Sequence, residues 1–308
     1  MLNKTTLTNW ALLMCLVFLW GTSFMFISVS VATVDPLSIV FYRVLLGAIV
    51  LTMIVYARGL RLPLSLRAWS VFMVFGMVGN LLPFFLISWG QQSVNSGVAG
   101  MIMAIMPLMT MLLAHYFVEG ENLNRYKIIG FVLGITGITI LLGPVFEGGG
   151  RAALSGFAIF IAATSYAVNS ILVRRLPQYN PIVAGAGMLI AATITLLPIW
   201  WILAPGYDVT VSMKSMLSVI WLGIGPTGIA SVILFTVIKR AGPTFLSTIN
   251  YMIPVVAFFT GAIILSEPIE WHSMLALVTI LSGIALTRFR ASQNVQAGAE
   301  NSPKTSLK

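Results

Sequence analysis

Seven polar or aromatic side chains interrupt long apolar stretches of this sequence, where they could bind a small molecule. They are Trp20, Ser23, Asn80, Tyr166, Asn169, Asn250 and Tyr251. Polar groups are costly in apolar surroundings, so these side chains should face other protein segments or a water-filled cavity. Amides, hydroxyls and aromatic rings can hydrogen-bond to and stack on a small ligand. We predict that the seven residues form a substrate-binding cavity; interhelical hydrogen bonding is the alternative for each.

Two further side chains in these stretches can carry charge. Arg43 lies about two helical turns inside its stretch and could bind an anionic substrate. Extension outward towards Asp35, or capping of a carbonyl group, is the favoured interpretation. His115 lies near the end of another stretch and could exchange protons near neutral pH, but a hydrogen-bonded histidine at a helix end is favoured. Both are candidates for a charge or proton role.

Two prolines interrupt apolar stretches at matching positions. Pro107 and Pro254 are 147 positions apart, and each is followed by a short acidic corner and a second apolar stretch. A proline inside a helix removes a backbone donor and kinks the helix, which frees a carbonyl group. A pair of such kinks is typical of hinges beside a binding site. We predict hinges at both prolines; a static bend for packing is an equally favoured alternative.

Acidic residues are absent from the interiors of the apolar stretches. All eight Asp and Glu residues lie in loops, corners or the tail. A cationic ligand buried there would need a carboxylate partner, so neutral, zwitterionic or aromatic small molecules are the predicted substrates. The usual carboxylate relay for protons is also missing, which predicts weak dependence of transport on a proton gradient.

Enzyme and nucleic-acid functions lack support in the sequence. The segment 223–228 matches G-x-G-x-x-G, but it lies inside an apolar stretch, contains a proline and follows no strand. Nucleophile, metalloprotease and phosphate-loop motifs are absent, so we predict no enzyme activity, no cofactor and no metal site. The net charge of +9 comes without a basic run interleaved with aromatic residues, which predicts no nucleic-acid partner.

The composition predicts an all-α integral membrane protein. Hydrophobic residues make up 58% of the 308 positions and charged residues only 8%, a balance that suits a lipid bilayer. Ten apolar stretches approach the ~20 residues needed to cross it. We predict spans at Trp10–Val34, Pro36–Tyr56, Ala68–Gly90, Gly97–Val118, Ile128–Leu142, Leu154–Val173, Ile182–Ala204, Ser215–Ile238, Phe245–Leu265 and His272–Thr287, the fifth and tenth being short.

The ten spans form two copies of one unit. Trp20 and Tyr166 are 146 positions apart, as are Ser23 and Asn169, and Gly137 matches Gly283 at the same offset. We predict five-helix repeats at residues 1–148 and 152–290 and a disordered cytoplasmic tail at 291–308. Because five is odd, the second repeat is predicted to lie inverted in the membrane, an arrangement typical of secondary transporters.

The basic residues predict the orientation. Of the 17 Lys and Arg residues, fourteen fall on the side that carries both termini, two (Arg151 and Lys214) fall on the other side, and Arg43 lies within a span. Basic residues are enriched in cytoplasmic loops, so both termini are predicted to be cytoplasmic.

The motif positions resemble the drug/metabolite transporter superfamily, EamA family. The similarity rests on WGTSF at 20–24, Pro36 and Arg43 in the second span, the 107–121 segment, and the Tyr251–Pro268 segment. It implies a carrier of the inner membrane that exports amino acids or related metabolites. It also implies that spans 1, 3, 4, 6, 8 and 9 surround the substrate path, with 2 and 7 lateral and 5 and 10 peripheral.

The predicted function is therefore secondary transport, the export of a small metabolite by alternating access. An uncoupled channel-like facilitator is the first alternative, and a membrane scaffold that transports nothing is the second. Gly130, Gly134 and Gly137 form a small-residue stripe that permits close helix contact, either within the chain or in a homodimer.

Overall fold

The computed structural model describes residues 4–147, 149–173, 179–204 and 210–288. In these ranges the regular secondary structure is entirely helical. The predicted tail at 291–308 and the loop residues Arg174, Arg175 and Asp208 lie outside the described residues.

The helices follow one another as consecutive apolar segments. These are α1 (Lys4–Gly21 and Ser23–Val31), α2 (Pro36–Ala57), α3 (Leu66–Gly76, Met77–Leu81 and Leu82–Gly90), α4 (Ser96–Ile102, Met103–Ile105 and Met106–Phe117), α5 (Arg125–Glu147), α6 (Gly150–Val173), α7 (Pro181–Leu203), α8 (Met213–Leu222, Gly223–Ile229 and Ala230–Leu246), α9 (Ile249–Ile264) and α10 (Trp271–Arg288).

Eight of the helical segments in the described ranges, α1 to α8, are long and apolar enough to cross a membrane. The segments α9 and α10 are apolar but shorter. The prediction of a short fifth span is wrong, because α5 runs for 23 residues. It begins before Ile128 and continues past Pro144, which lies inside its last turn.

Equivalent helices begin in the same way in both halves of the chain. Pro36 and Pro181 occupy the first positions of α2 and α7, where the missing proline N–H costs nothing. Asp35 and Asn180 precede them, and each side-chain oxygen accepts a backbone N–H of the first turn, at 3.0 and 3.1 Å. This shared capping pattern explains why both helices start at the predicted prolines.

The glycine stripe of α5 packs against α10 of the same chain. A Cβ atom at Gly130 would lie 2.5 Å from the carbonyl oxygen of Gly283, and one at Gly137 would lie 2.6 Å from the Ile280 side chain. Only glycine allows these backbones to approach so closely. The stripe is therefore used within the chain, and the predicted homodimer draws no support from it.

The remaining helices pack in cross-repeat pairs. α2 packs along α7, α3 and α4 pack along α6, and α1 packs along α8 and α9. The first half of α4 also packs against α9. Contacts between the two halves of the chain thus surround a central space, to which α5 and α10 lie peripheral.

Candidate functional site

A cavity of about 370 Å³ lies in this central space. Its lining comes from α1, α2, α3, α4, α6, α7, α8 and α9. The resemblance implies lateral positions for α2 and α7, yet Arg43 of α2 and Met188 of α7 both reach the cavity. Its described lining residues include none from α5 or α10, in agreement with their peripheral positions.

Six of the seven predicted substrate-binding residues line the cavity. They are Trp20, Ser23, Asn80, Tyr166, Asn169 and Asn250, and the predicted hinge residues Pro107 and Pro254 line it as well. The structure thus brings together residues from five helices, although their role in substrate binding stays a prediction.

Trp20 is oriented by a hydrogen bond across the cavity wall. Its indole Nε1 donates to the carbonyl oxygen of Pro226 in α8, at 2.9 Å. The hydroxyl of Ser23 donates to the carbonyl oxygen of Trp20, at 2.6 Å. The polar edge therefore orients the ring, which packs partly against apolar side chains of α1, α8 and α9 and lines the cavity with the remainder of its surface.

Both α3 and α8 contain a π-helical segment beside the cavity, at Met77–Leu81 and Gly223–Ile229. Such segments interrupt the regular hydrogen-bond ladder and are frequent at functional sites. In α8, Pro226 has no N–H to give to the carbonyl of Leu222 four residues earlier. The hydroxyl of Thr227 donates to that carbonyl instead, at 2.8 Å.

Among the described residues Arg43 neither extends towards Asp35 nor caps a carbonyl group, so the favoured interpretation of this residue is wrong. Only 5% of Arg43 is exposed, and its Nε donates to the hydroxyl oxygen of Thr227 at 3.0 Å. Its guanidinium lies 3.7 Å from the ring centroid of Phe84. Asp35 is eight residues earlier on the helix, about 12 Å along the axis, whereas Thr227 and Phe84 are immediate neighbours.

Asn169 packs on the π-helical segment of α3. A Cβ atom at Gly79 would lie 2.7 Å from Nδ2 of Asn169. One turn earlier, the hydroxyl of Ser165 donates to the carbonyl oxygen of Val78, at 2.7 Å. Gly79 is therefore required for α6 to approach α3 with an asparagine at this position.

The cavity also contains amide groups that are free to bind a ligand. Within the described ranges, the side chains of Asn80 and Asn250 have no hydrogen-bond partner, and the buried Oδ1 of Asn169 has none either. Unpaired amides in an apolar site are costly, so a bound molecule or water would stabilise them.

Two predicted residues lie away from the cavity. Tyr251 turns towards α10, where its hydroxyl donates to the carbonyl oxygen of Ile284 at 3.2 Å. Its predicted role in substrate binding thus has no support from its position. His115 lies at the end of α4, with Nδ1 3.1 Å from the carbonyl oxygen of Glu121, which is the hydrogen-bonded position that the sequence favours.

The helices α4 and α9 touch at one end of the cavity and separate towards the other. Gly100 packs directly on Ala257, and a Cβ atom at Gly97 would lie 3.2 Å from the Cα atom of Phe258. Further along, Pro107 and Asn250 line the cavity from the two helices. Pro107 follows the 3₁₀ turn Met103–Ile105, whereas Pro254 lies inside a continuous helix.

A glutamate closes the end where α4 and α9 touch. The carboxylate of Glu267 accepts the backbone N–H of Ser96 at 2.7 Å and that of Gly97 at 2.9 Å. These are orphan donors at the start of α4, so the acid both caps that helix and links it to the end of α9. We refer to this contact as the Glu267 latch.

The sequence matches one transporter family over both halves. The EamA-like transporter family matches residues 8–143 and again residues 154–289. The chain belongs to this family. As an EamA-like transporter it is a multi-pass membrane protein. The first family repeat contributes α1, α3 and α4 to the cavity, and the second contributes α6, α8 and α9.

Named relatives of this EamA-like transporter agree with that assignment. A Salmonella typhimurium protein named "probable amino-acid metabolite efflux pump" is 26% identical over 289 residues, 90% of this chain and 94% of the relative. An Escherichia coli K12 protein named "uncharacterized inner membrane transporter YedA" is 27% identical over 282 residues, 89% of this chain and 88% of the relative. One solved structure, described only as "Crystal structure of protein", matches with a TM-score of 0.66 at 22% identity, covering 96% of this chain and 99% of that chain, and shows the fold.

Four residues that shape the cavity in this EamA-like transporter were not singled out from the sequence as site residues: Gly79, Phe84, Pro226 and Thr227. The sequence does carry a signal for Gly79, for Pro226 and for Thr227 beside it, because glycine and proline inside apolar stretches mark irregular helices that line transport sites. The segment 223–228 carries that signal in its G-x-G-P-T-G sequence. Phe84 has no such signal, since its role depends on the unexpected direction of Arg43.

Proposed function

We propose that this protein is a secondary carrier that exports small neutral, zwitterionic or aromatic metabolites, such as amino acids, by alternating access. The observation that supports this most is the central cavity, which is lined by both repeats at their irregular helix segments. The Salmonella relative's name, an amino-acid metabolite efflux pump, favours the same class of cargo.

We further propose ten spans arranged as two inverted five-helix repeats. α9 has 16 residues, about 24 Å, which is short of the ~30 Å hydrocarbon core. It nevertheless packs along α1 and α4, and α10 packs along α5. The three partner helices α1, α4 and α5 are long enough to span the membrane. Five spans per repeat would leave the second repeat inverted, with both termini in the cytoplasm.

Cysteine labelling tests this topology. In a Cys15→Ala background, we expect an impermeant maleimide applied to intact cells to modify a cysteine at Arg151 and to spare one at Gly59. The charge bias places the first position outside and the second inside. Labelling at Gly59 with protection at Arg151 would reverse the orientation, and labelling of both would contradict a single topology.

The shape of the cavity suggests which state is present. α4 and α9 are in contact at the Glu267 latch and apart where α4 ends and α9 begins. In the proposed topology the latch faces outside and the separated ends face the cytoplasm. The conformation would then be the inward-facing state that loads cargo for export, with Pro107 and Pro254 at the point of divergence.

The aromatic wall is proposed to bind the cargo. We expect Trp20→Ala to reduce transport by about tenfold or more, because it removes a large contact surface from the ligand. Trp201→Ala is the matched control: Trp201 is 75% exposed on the outer surface of α7 and should leave transport unchanged. Equal transport by wild type and Trp20→Ala, at equal expression, would contradict the cavity assignment.

Transport itself can be tested in cells and in liposomes. Overexpression should protect cells from toxic analogues of aromatic or aliphatic amino acids, and reconstituted protein should show saturable flux and counter-exchange. A channel-like facilitator would show neither saturation nor exchange, and a scaffold would show no flux.

Because the apolar interior has no carboxylate, an imposed pH gradient should change the flux little; concentrative uptake that collapses with a protonophore would contradict this.

A further inference from the structure

Arg43 brings a positive charge into the cavity without a negative partner. Among the described lining residues, Arg43 is the one with a formal charge at neutral pH. The acidic residues of the sequence all lie outside the apolar interiors. A cation buried at this depth is costly unless it pairs with an anion or faces water, and such residues in membrane proteins usually mark a transport pathway.

The surroundings of Arg43 hold its guanidinium in a fixed orientation. Nε donates to Thr227 Oγ1, whose own hydroxyl hydrogen goes to the carbonyl of Leu222. The ring of Phe84 covers one face of the guanidinium plane. These contacts leave the four N–H groups on the two terminal nitrogens, which have no acceptor among the residues that the structure describes. A guanidinium held in this way offers a fork of parallel donors that matches a carboxylate.

We infer that Arg43 binds the carboxylate of the transported molecule, so that the cargo is a monocarboxylate or a zwitterionic amino acid rather than an amine or an uncharged compound. The inference rests on the proposed function, because it names the group through which the cargo is recognised. A bound carboxylate would neutralise the guanidinium and occupy its free donors, whereas an amine would be repelled.

The second repeat limits the number of carboxylates that the cavity accepts. The position equivalent to Arg43 is Met188, which lines the same cavity. One end of the cargo would therefore meet a cation and the other an apolar side chain. This asymmetry favours a single carboxylate attached to an apolar or aromatic body, and it disfavours dicarboxylates.

Four ligands with the same phenyl body test the inference: L-phenylalanine, 3-phenylpropionate, 3-phenylpropionamide and 2-phenylethylamine. We would measure the affinity of purified protein for each by thermal-shift titration. The wild type should bind the two carboxylates at least about tenfold more tightly than the amide or the amine, since charge-assisted bidentate hydrogen bonds are lost with the carboxylate. No preference for the carboxylates in the wild type would overturn the inference.

Arg43→Met is the decisive variant, because methionine is the residue that the cavity already has at the equivalent position. It should abolish the preference for carboxylates while binding of the amide is retained, an effect that a purely structural role for Arg43 would not produce. Arg43→Lys should keep the preference with weaker carboxylate binding, since lysine retains the charge but not the planar fork. If Arg43→Met does not fold, the lysine variant decides: carboxylate affinity equal to that of the wild type would overturn the inference.

Flux measurements on the same four ligands separate this inference from the proposed function. Binding of carboxylates that depends on Arg43, without any flux in liposomes, would contradict the transport function and leave the inference supported. Flux of the amide or the amine at the rate of the carboxylates would support transport and overturn the role of Arg43.

Discussion

Gly283→Ala is expected to reduce the yield of folded protein severely, because it forces two helix backbones apart. A Cβ atom at this position would lie 2.6 Å from the carbonyl oxygen of Gly130 and 2.9 Å from the backbone N of Gly134. Neither atom can rotate away, as the end of a side chain could. Overpacking of a tight contact typically costs about 1–3 kcal/mol, and a clash between backbones belongs at or above the upper end of that range.

Gly143→Ala provides a matched control on the other helix of this pair. It makes the same chemical change in α5, but a Cβ atom there meets nothing within 4 Å. Alanine also has a better helix propensity than glycine, so the melting temperature should stay the same or rise slightly. The measurements are the monodisperse yield and the melting temperature in detergent. Equal melting temperatures for the two variants would contradict the assigned packing of α5 and α10.

Local sequence patterns predict the helices and much of the cavity. An apolar stretch of about 20 residues has few alternatives to a helix in a bilayer, because its backbone must be satisfied internally. Polar side chains in such stretches must face inward, which explains why the sequence predicts Trp20, Asn80 and Asn169 at the cavity. The 146-residue offset between Trp20 and Tyr166 also agrees with the two family matches.

These local patterns do not predict hydrogen-bond partners that are distant in the sequence. The acceptor for Arg43 is Thr227, 184 positions away, and it lies within the π-helical segment of α8. Helical periodicity carries no information about such a segment or about the partner chosen. Tyr251 shows the same limit, since it lies next to the cavity-lining Asn250 but turns to the carbonyl of Ile284.

The Glu267 latch has the clearest consequence for alternating access. Ser266 adopts a left-handed φ of 55° just beyond α9, and this turn directs Glu267 towards the start of α4. Glu267→Gln would keep one acceptor oxygen but place an amide N–H₂ donor opposite the N–H of Ser96 or Gly97. Hydrogen bonds to charged groups contribute about 1.5–3 kcal/mol, so the contact between α4 and α9 should weaken by roughly that amount.

A weaker latch is expected to shift the carrier towards a state open at the end where α4 begins. The reporter is a cysteine at Ile253, which lines the cavity, in a Cys15→Ala background. Glu267→Gln should raise its reaction rate with an impermeant maleimide applied from that side by about tenfold or more, by the population shift that a loss of this size produces.

Glu119→Gln, the same change at an exposed corner of the first repeat, should leave the rate unchanged. A latch that merely capped α4 would lower the melting temperature without changing this rate, so unchanged labelling in Glu267→Gln would refute a gating role. A faster rate would identify the α4–α9 contact as the barrier that separates the cavity from that side of the membrane.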